Sequence, residues 1–589
     1  MRRLKERKRR PHKPLAVMFA DLEQLRAHCA ADAAEAALLV SPEHPIVLLD
    51  WREIGPSGEE NGGSGLEAAG DEAGAPVHPE VATGQRYLGA MLPYTPLHIL
   101  LVRAVGRPLV MTSGNLAEEP IVKGWEEIGR LTPIADAYLV HDREIAVRYD
   151  DSVAQVSGGR PRLIRRSRGY APFPVALPRP LPQTLACGAE LKSTFCLTRD
   201  ANAFLSQHIG DLENLETLEH YEAAIGVYEH LFRLAPEVVA YDLHPEYLAT
   251  KHALSLPQEL KIAVQHHHAH VAARMVEHGR EDPVIGVSMD GLGYGDDGVL
   301  WGGEVLVCDL LGYRRVAHLE ELPLPGGAAA IARPWRTALG WSYALLGDEG
   351  FERAARALRT RAAGLEAPAA GSGPAARKRP AGPSDEALEA LRAQIDAGVN
   401  APLTTSCGRL FDAVAALAGV RHGITYEGQA AIELEMWSTG AGPAAPYPCD
   451  IDGDVDASAP RRTAEAGAAG AAGPAPAVVR LAPLFAGVLA DVEAGAPAGV
   501  IGARLHATMT ALVLDLCRRT REATGLAAVA LAGGVFQNRL LAGLCEAALA
   551  GDGFDVLAAG LVPTNDGGVS LGQAAVAGYT VLKRRGDLA

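Results

Sequence analysis

An α/β protein in two parts is what this sequence predicts, on three observations. Short apolar, β-rich runs alternate with helical patterns along the whole chain. A Pro-rich stretch, APFPVALPRPLPQ at 171–183, lies between two such series and has the composition of a semi-rigid spacer. Several strands run directly into glycine- or histidine-rich turns, the arrangement that places ligands at strand ends in open α/β sheets.

In chain order, PIVLLD, RPLVMTSG and AYLV read as strands before the spacer. KIAVQ, VIGVSMD, VLVCDLL, VALAGG and DVLAAG read as strands after it, and EALEALRAQI and ARLHATMTALVLDLCRRTREA as helices. The first part is expected over 1–170 and the second over 184–589. Three segments, about 55–84, 362–385 and 440–476, are rich in Gly, Ala, Pro and charge. Such compositions bury too little apolar surface to offset their ordering entropy, so they are expected to be flexible surface inserts. No short-period repeat is present.

The 589 residues are 48% apolar and carry a net charge of −16. That charge argues against a general nucleic-acid binder, which needs clustered Lys and Arg. The opening MRRLKERKRRPHKP is a local exception. None of the eight cysteines forms a C-x-x-C pair, which gives no zinc-ribbon or disulfide-framework signal. Scattered cysteines fit a reducing cytoplasm. No charge-free run of 18 apolar residues predicts a membrane span, and no apolar region follows the basic start as a signal peptide requires.

A metal site is the first chemical expectation. KIAVQ leads into HHHAHVAARMVEH, where His266 and His270 are four apart. On a helix they would share one face, as two imidazoles binding one ion must. Asp290 ends VIGVSMD, and Asp566 follows DVLAAGLVP; both read as strand-end carboxylates, or alternatively as turn-forming aspartates before glycine. Two His and two Asp suit Fe or Zn with open positions.

A nucleotide site is the second. GLGYGDDG follows Asp290, and its Gly291, Gly293 and Gly295 would let backbone N–H groups approach an anion. No Walker A lysine follows. Gly533 and Gly534 end a second strand, a helix start near Gln537 would favour negative charge, and Asn538 could bond a base, sugar or phosphate. Asp412 lies on the helical pattern GRLFDAVAALAG, where a solvated helix face is the simpler reading and ribose binding the sharper one. Lys192, Ser193 and Thr194 follow a further glycine turn at ACGAELKSTF. Paired glycine-rich turns around nucleotide and metal suggest an actin-like ATPase architecture.

These residues carry a resemblance. From Leu185 onward, HHHAH, GRLFDAVA, GGVFQN and TNDGG are similar to the metal and nucleotide motifs of the TsaD family of threonylcarbamoyl transferases. LSQHIGDLEN, YDLHPEYLAT, LWGGE, PWRTALG and YEGQAAIELE resemble the HypF branch. The N-terminal part looks like a YrdC domain, through RKRRPHKPLAVM, MLPYTPLHILL, VMTSGNLAEEPI and RRSRGYAP. The resemblance therefore implies a YrdC-like α/β domain followed by an actin-like, two-lobed TsaD-like domain. It implies metal ligation by His266, His270, Asp290 and Asp566. It implies nucleotide binding at Gly291, Gly293, Asp412, Gly533, Gly534 and Asn538 in the second part. Lys8, Arg10, Lys13, Ser113 and Asn115 would form an ATP and carbamate site in the first.

The implied reaction is that of hydrogenase maturation. Carbamoyl phosphate supplies carbamate, ATP (with Mg) converts it to carbamoyl-adenylate, and the carbamoyl group passes to the C-terminal Cys thiol of HypE with loss of AMP. The sequence lacks the family's acylphosphatase-like G-x-V-Q-G-V-G-F-R and cysteine-rich zinc segments and begins inside the YrdC pattern. Ala328 and Arg333 stand where the family's GGD and EPWR carry acids. Adenylate formation and transfer, but not carbamoyl phosphate cleavage, are thus the steps expected here. The alternatives are a tRNA threonylcarbamoyl-forming fusion, an RNA-binding YrdC-type module, and an inactive product of a longer gene.

Overall fold

The computed structural model describes residues 1–52, 77–116, 119–365, 383–456, 458, 461–463 and 475–588. Most of the three expected inserts, 53–76, 366–382 and much of 457–474, lies outside the described residues. Their described margins are largely exposed but anchored at a few points. Val81 and Ala82 are buried in the turn Pro79–Ala82, and Tyr447 is buried. Asp450–Asp452 pairs with Ala477–Arg480, and Arg462–Thr463 pairs with Gly312–Leu319. Single apolar anchors inside polar stretches hold these margins down, a signal that average composition hides.

The chain forms two units. One comprises Met1–Glu281 with Ala559–Ala589, the other Asp282–Ala558. Within the first unit one sheet ends at Arg165 and the next begins at Val175, on either side of the start of the Pro-rich stretch. That stretch is not a spacer throughout, because Val175–Leu181 is a strand antiparallel to Cys196–Leu205. It is the edge strand of its sheet, the position where missing proline N–H groups cost no ladder bond, so Pro178 and Pro180 are accommodated.

The first unit contains two sheets. In the first, strands run in the order Leu109–Met111, Ala16–Met18, Tyr87–Met91, Ile46–Trp51, Val153–Ser157, Arg160–Arg165, with Cys29–Ala30 beside Ile46–Trp51. Phe19, Leu25, Leu49, Trp51 and Leu88 fill its core. The expected strand AYLV is absent: 137–140 has no regular structure, and Tyr138, Leu139 and Val140 are exposed. Four residues are too few to identify a strand when no pairing neighbour is specified. The basic start is not a solvated tail. Arg2–Arg7 is a helix, and both Lys5 and Lys8 are buried.

The second sheet has the order Leu260–Val264, Val238–Asp242, Thr184–Ala186, Cys196–Leu205, Val175–Leu181. Its first three strands are parallel, so their carboxyl ends share one side. The helices His266–Glu277 and Val569–Arg585 pack against one another. Gly572 makes the crossing possible, since a Cβ there would lie 1.8 Å from the Ala269 carbonyl oxygen.

The second unit is built on a ten-stranded sheet. Val284–Tyr294 sits inside it, antiparallel to Leu300–Asp309 and parallel to Ala528–Ala532. The helices Cys407–Leu417, Gln429–Ser438 and Ala498–Thr524 contribute Phe411, Leu434, Leu505 and Met509 to its core. Ala498–Thr524 is the one helix among the described residues long and apolar enough to cross a membrane, and 61% of its apolar window is buried inside the protein.

Candidate metal and nucleotide sites

The strand Leu260–Val264 leads into the helix His266–Glu277, as its periodicity predicts. Gln265 caps the helix by accepting the His268 N–H at 2.8 Å. His266 and His270 lie one turn apart with their Nε2 atoms 3.2 Å from each other. Asp566 Oδ1 is 3.8 Å from His266 Nε2 and 3.7 Å from His270 Nε2. One ion bonding each donor at about 2.0–2.2 Å would set them about 3.0–3.5 Å apart. The spacing, and the chemistry of two imidazoles and a carboxylate, therefore fit a Zn- or Fe-class ion.

Asp566 is not at a strand end, as the sequence suggested. The strand ends at Leu557, and Asp566 opens the turn Asp566–Gly568 before Val569–Arg585. Its loop is held from both sides. Buried Arg274 donates to the Val562 and Pro563 carbonyls at 2.7 and 3.2 Å. Glu277 accepts the Leu561 and Val562 N–H groups at 2.6 and 2.9 Å. Asn565 donates to the Ile164 carbonyl at 3.0 Å and accepts the Gly567 N–H at 2.9 Å. A residue that sequence reasoning missed backs the histidines: Asp242 Oδ2 lies 2.8 Å from His266 Nδ1.

Asp290 belongs to the second unit. It lies within the strand Val284–Tyr294 at a register shift, with Oδ1 accepting the Gly534 N–H at 2.8 Å. The expected glycine-rich loop is in fact a hairpin. Gly291 and Gly293 continue the strand, Gly293 pairing with Trp301, and the turn comes at 295–298. The alternation of glycine with bulky residues fits a pleated strand as well as a loop, and pairing with Leu300–Asp309 decides the matter.

Gly533, at φ +94°, is required where it stands, because a Cβ would lie 2.2 Å from the Met289 carbonyl oxygen. The helix that follows, Arg539–Gly551, does not present a free N-terminus. Buried Glu435 accepts the Arg539 and Leu540 N–H groups at 2.7 and 3.3 Å. Burial pushes the Glu435 carboxyl up to about 7. Asn538 Oδ1 caps the helix at the Leu541 N–H, 2.9 Å away, and its Nδ2 lies 2.9 Å from His506 Nε2. His506 Nδ1 is 2.7 Å from the Gly502 carbonyl, so that ring nitrogen carries the proton and Nε2 accepts from Asn538. Burial lowers the His506 pKa to about 4.

Asp412 is buried, not on a solvated face. Arg409 lies 2.8 Å from its Oδ2 and the Ala431 N–H also faces the carboxylate, which leaves it with fewer donors than its lone pairs can accept. Burial raises its pKa against the opposing pull of Arg409. A carboxylate in that condition suits a ligand that brings its own hydroxyl donors.

In the first unit, Lys8, Ser113 and Asn115 come together. Lys8 Nζ donates to the Ser113 carbonyl and, at 3.3 Å, to Asn115 Oδ1. Ser113 Oγ donates to the same Oδ1 at 2.6 Å. Burial, with Arg10 nearby, lowers the Lys8 pKa to about 8. Arg10 is half-buried and Lys13 exposed.

Residues 286–573 match the family model described as carbamoyltransferase, Kae1-like domain, second subdomain. Residues 179–277 match the HypF Kae1-like domain, and 69–167 the Sua5/YciO/YrdC model, described as telomere recombination. The curated carbamoyltransferase HypF2 of Cupriavidus necator is 40% identical over 98% of this chain and 68% of its own length. Carbamoyltransferase HypF of Rhodobacter capsulatus is also 40% identical, with the same coverages. A crystal structure of full-length HypF in a phosphate- and nucleotide-bound form matches with TM-score 0.84 and 38% identity, over 99% of this chain and 68% of that one. A crystal structure of T. kodakarensis HypF matches with TM-score 0.80 and 29% identity over 98% of this chain and 69% of that one. The chain belongs to the HypF carbamoyltransferase family and is a transferase.

Proposed function

We propose that this chain forms carbamoyl-adenylate from carbamate and ATP and passes its carbamoyl group to the C-terminal Cys thiol of HypE, in hydrogenase maturation. The observation that carries the reading is the convergence of His266, His270 and Asp566, whose donor atoms lie 3.2–3.8 Å apart. A bound Fe or Zn ion would supply Lewis-acid polarisation of a nucleotide phosphate.

The remaining chemistry belongs to the chain itself. Lys8, with Arg10 and Lys13, neutralises triphosphate charge, while Ser113 and Asn115 orient the reactants. A carbamate oxygen attacks the α-phosphorus of Mg-bound ATP, and pyrophosphate leaves. In the second step the HypE thiolate attacks the carbamoyl carbon, the bond to the AMP oxygen breaks, and the thiol proton is lost to water. Gly291, Gly293, Gly533 and Gly534 let backbone approach the nucleotide, Asp412 accepts from ribose hydroxyls, and Asn538 has a second Nδ2 hydrogen for the ligand. None of the eight cysteines is in a disulfide, which fits a cytoplasmic reaction.

The test supplies carbamoyl-adenylate and HypE to wild type and to His270→Ala, then weighs HypE by mass spectrometry. A carbamoyl adduct with wild type, strongly reduced in the variant, is expected. An equal adduct from both would remove the histidine pair from transfer, and modification only when threonine and tRNA replace HypE would redirect the assignment.

A further inference from the structure

We infer that Asp242 is a positioning residue that fixes the tautomer and orientation of His266, so that the Nε2 lone pair of this imidazole is presented to an incoming cation. The inference rests on the metal reading above and extends it to a residue outside the proposed ligand set.

Asp242 is the last residue of the strand Val238–Asp242. Parallel pairing sets it beside Val264, two positions before His266. Both side chains are fully buried, at 0% exposure, and Oδ2 lies 2.8 Å from His266 Nδ1. The other oxygen, Oδ1, accepts the His244 N–H at 2.9 Å, and the Asp242 carbonyl accepts the Thr250 hydroxyl at 3.1 Å. The carboxylate is therefore held by its own strand end and turn before it reaches the histidine.

An ionised carboxylate can only accept hydrogen bonds. His266 must then carry a proton on Nδ1, which in the neutral ring leaves Nε2 unprotonated. That atom lies 3.2 Å from His270 Nε2 and 3.8 Å from Asp566 Oδ1. Without Asp242 the ring could place its proton on either nitrogen and rotate, and the ordering would have to come from binding energy. Loss of such a partner typically weakens metal binding about 10–100-fold.

The experiment measures Zn affinity of the full chain by competition with a chromophoric chelator, and the absorption spectrum of the Co-substituted protein. Wild type, Asp242→Asn, His266→Ala and the double variant are compared, with thermal melting of each metal-free protein. Asp242→Asn should bind Zn about 10–100-fold more weakly than wild type and shift the Co spectrum. In the His266→Ala background the same change should leave residual affinity unaltered, because Asp242 acts through His266. Should Asp242→Asn fold poorly, Asp242→Ser takes its place in both arms.

Wild-type affinity in Asp242→Asn, or an equal loss with and without His266, would overturn the inference while leaving the metal reading intact. A wild-type chain that binds no stoichiometric Zn or Co would overturn the metal reading and this inference with it.

Discussion

Two strand-to-helix junctions read alike in the sequence and differ in what they leave open. In the first unit, Leu260–Val264 enters His266–Glu277, and polar groups are arranged behind the histidines so that Nε2 atoms and a carboxylate converge. In the second, Ala528–Ala532 enters Arg539–Gly551, and Glu435 and Asn538 already take the helix N–H groups. A helix N-terminus attracts anions through unsatisfied N–H groups; once an internal carboxylate satisfies them, that attraction is spent. What a junction can bind depends on which of its polar atoms already have partners.

The sharpest break of this contrast is the loss of a converging donor. His270→Ala should take Zn or Fe content from about one ion per chain to near zero by elemental analysis, while Asn538→Ala should leave it unchanged. Equal content in wild type and His270→Ala would mean the first junction is no more open than the second.

Lys8 is the intermediate case, a buried cation whose donors are partly engaged. Lys8→Met should weaken ATP binding by about 1.5–3 kcal/mol, the scale of a hydrogen bond to a charged group, by calorimetry. Its pKa, lowered to about 8, adds a sign. The ammonium that an anion favours is present below that value and lost above it, so wild-type ATP affinity should fall as pH rises through 8. Lys8→Met should lack that fall.

The occupied junction should respond in stability. Glu435→Ala leaves two helix N–H groups without their acceptor and should cost about 1–3 kcal/mol in urea unfolding. Because burial raises the Glu435 carboxyl from 4.5 to about 7, the folded chain holds this proton more tightly than the unfolded one. That contribution is present below 4.5 and lost as pH rises to 7; Glu435→Gln should flatten it. The smallest effect is that of Asn538→Ala, about 1 kcal/mol for one lost cap; Asn538→Asp restores that cap but not the Nδ2 donor to His506 Nε2, and should stay below wild type.

The sequence made part of this legible. His266 and His270 are visible because four-residue spacing on a helix is a local rule. Asp242 is not, since its role depends on the register of two parallel strands. Glu435 is hidden for the same reason at longer range, its partner Arg539 lying 104 positions away. The prolines at 178 and 180 suggested a spacer because composition does not distinguish a linker from an edge strand; only the neighbouring Cys196–Leu205 does. Gly291 and Gly293 misled similarly, the hairpin partner being what turns a glycine-rich run into a strand.

The first unit is made from two stretches of chain, Met1–Glu281 and Ala559–Ala589, and the second of these carries Asp566. On the ribosome, the histidine pair is therefore synthesised nearly three hundred positions before its carboxylate partner. Helix His266–Glu277 must wait for Val569–Arg585, with which it packs, until all of Asp282–Ala558 has been translated. Nascent chains tend to fold from the N-terminal side as they emerge, so the order of synthesis keeps the cation-binding donors apart until Asp282–Ala558 has been made.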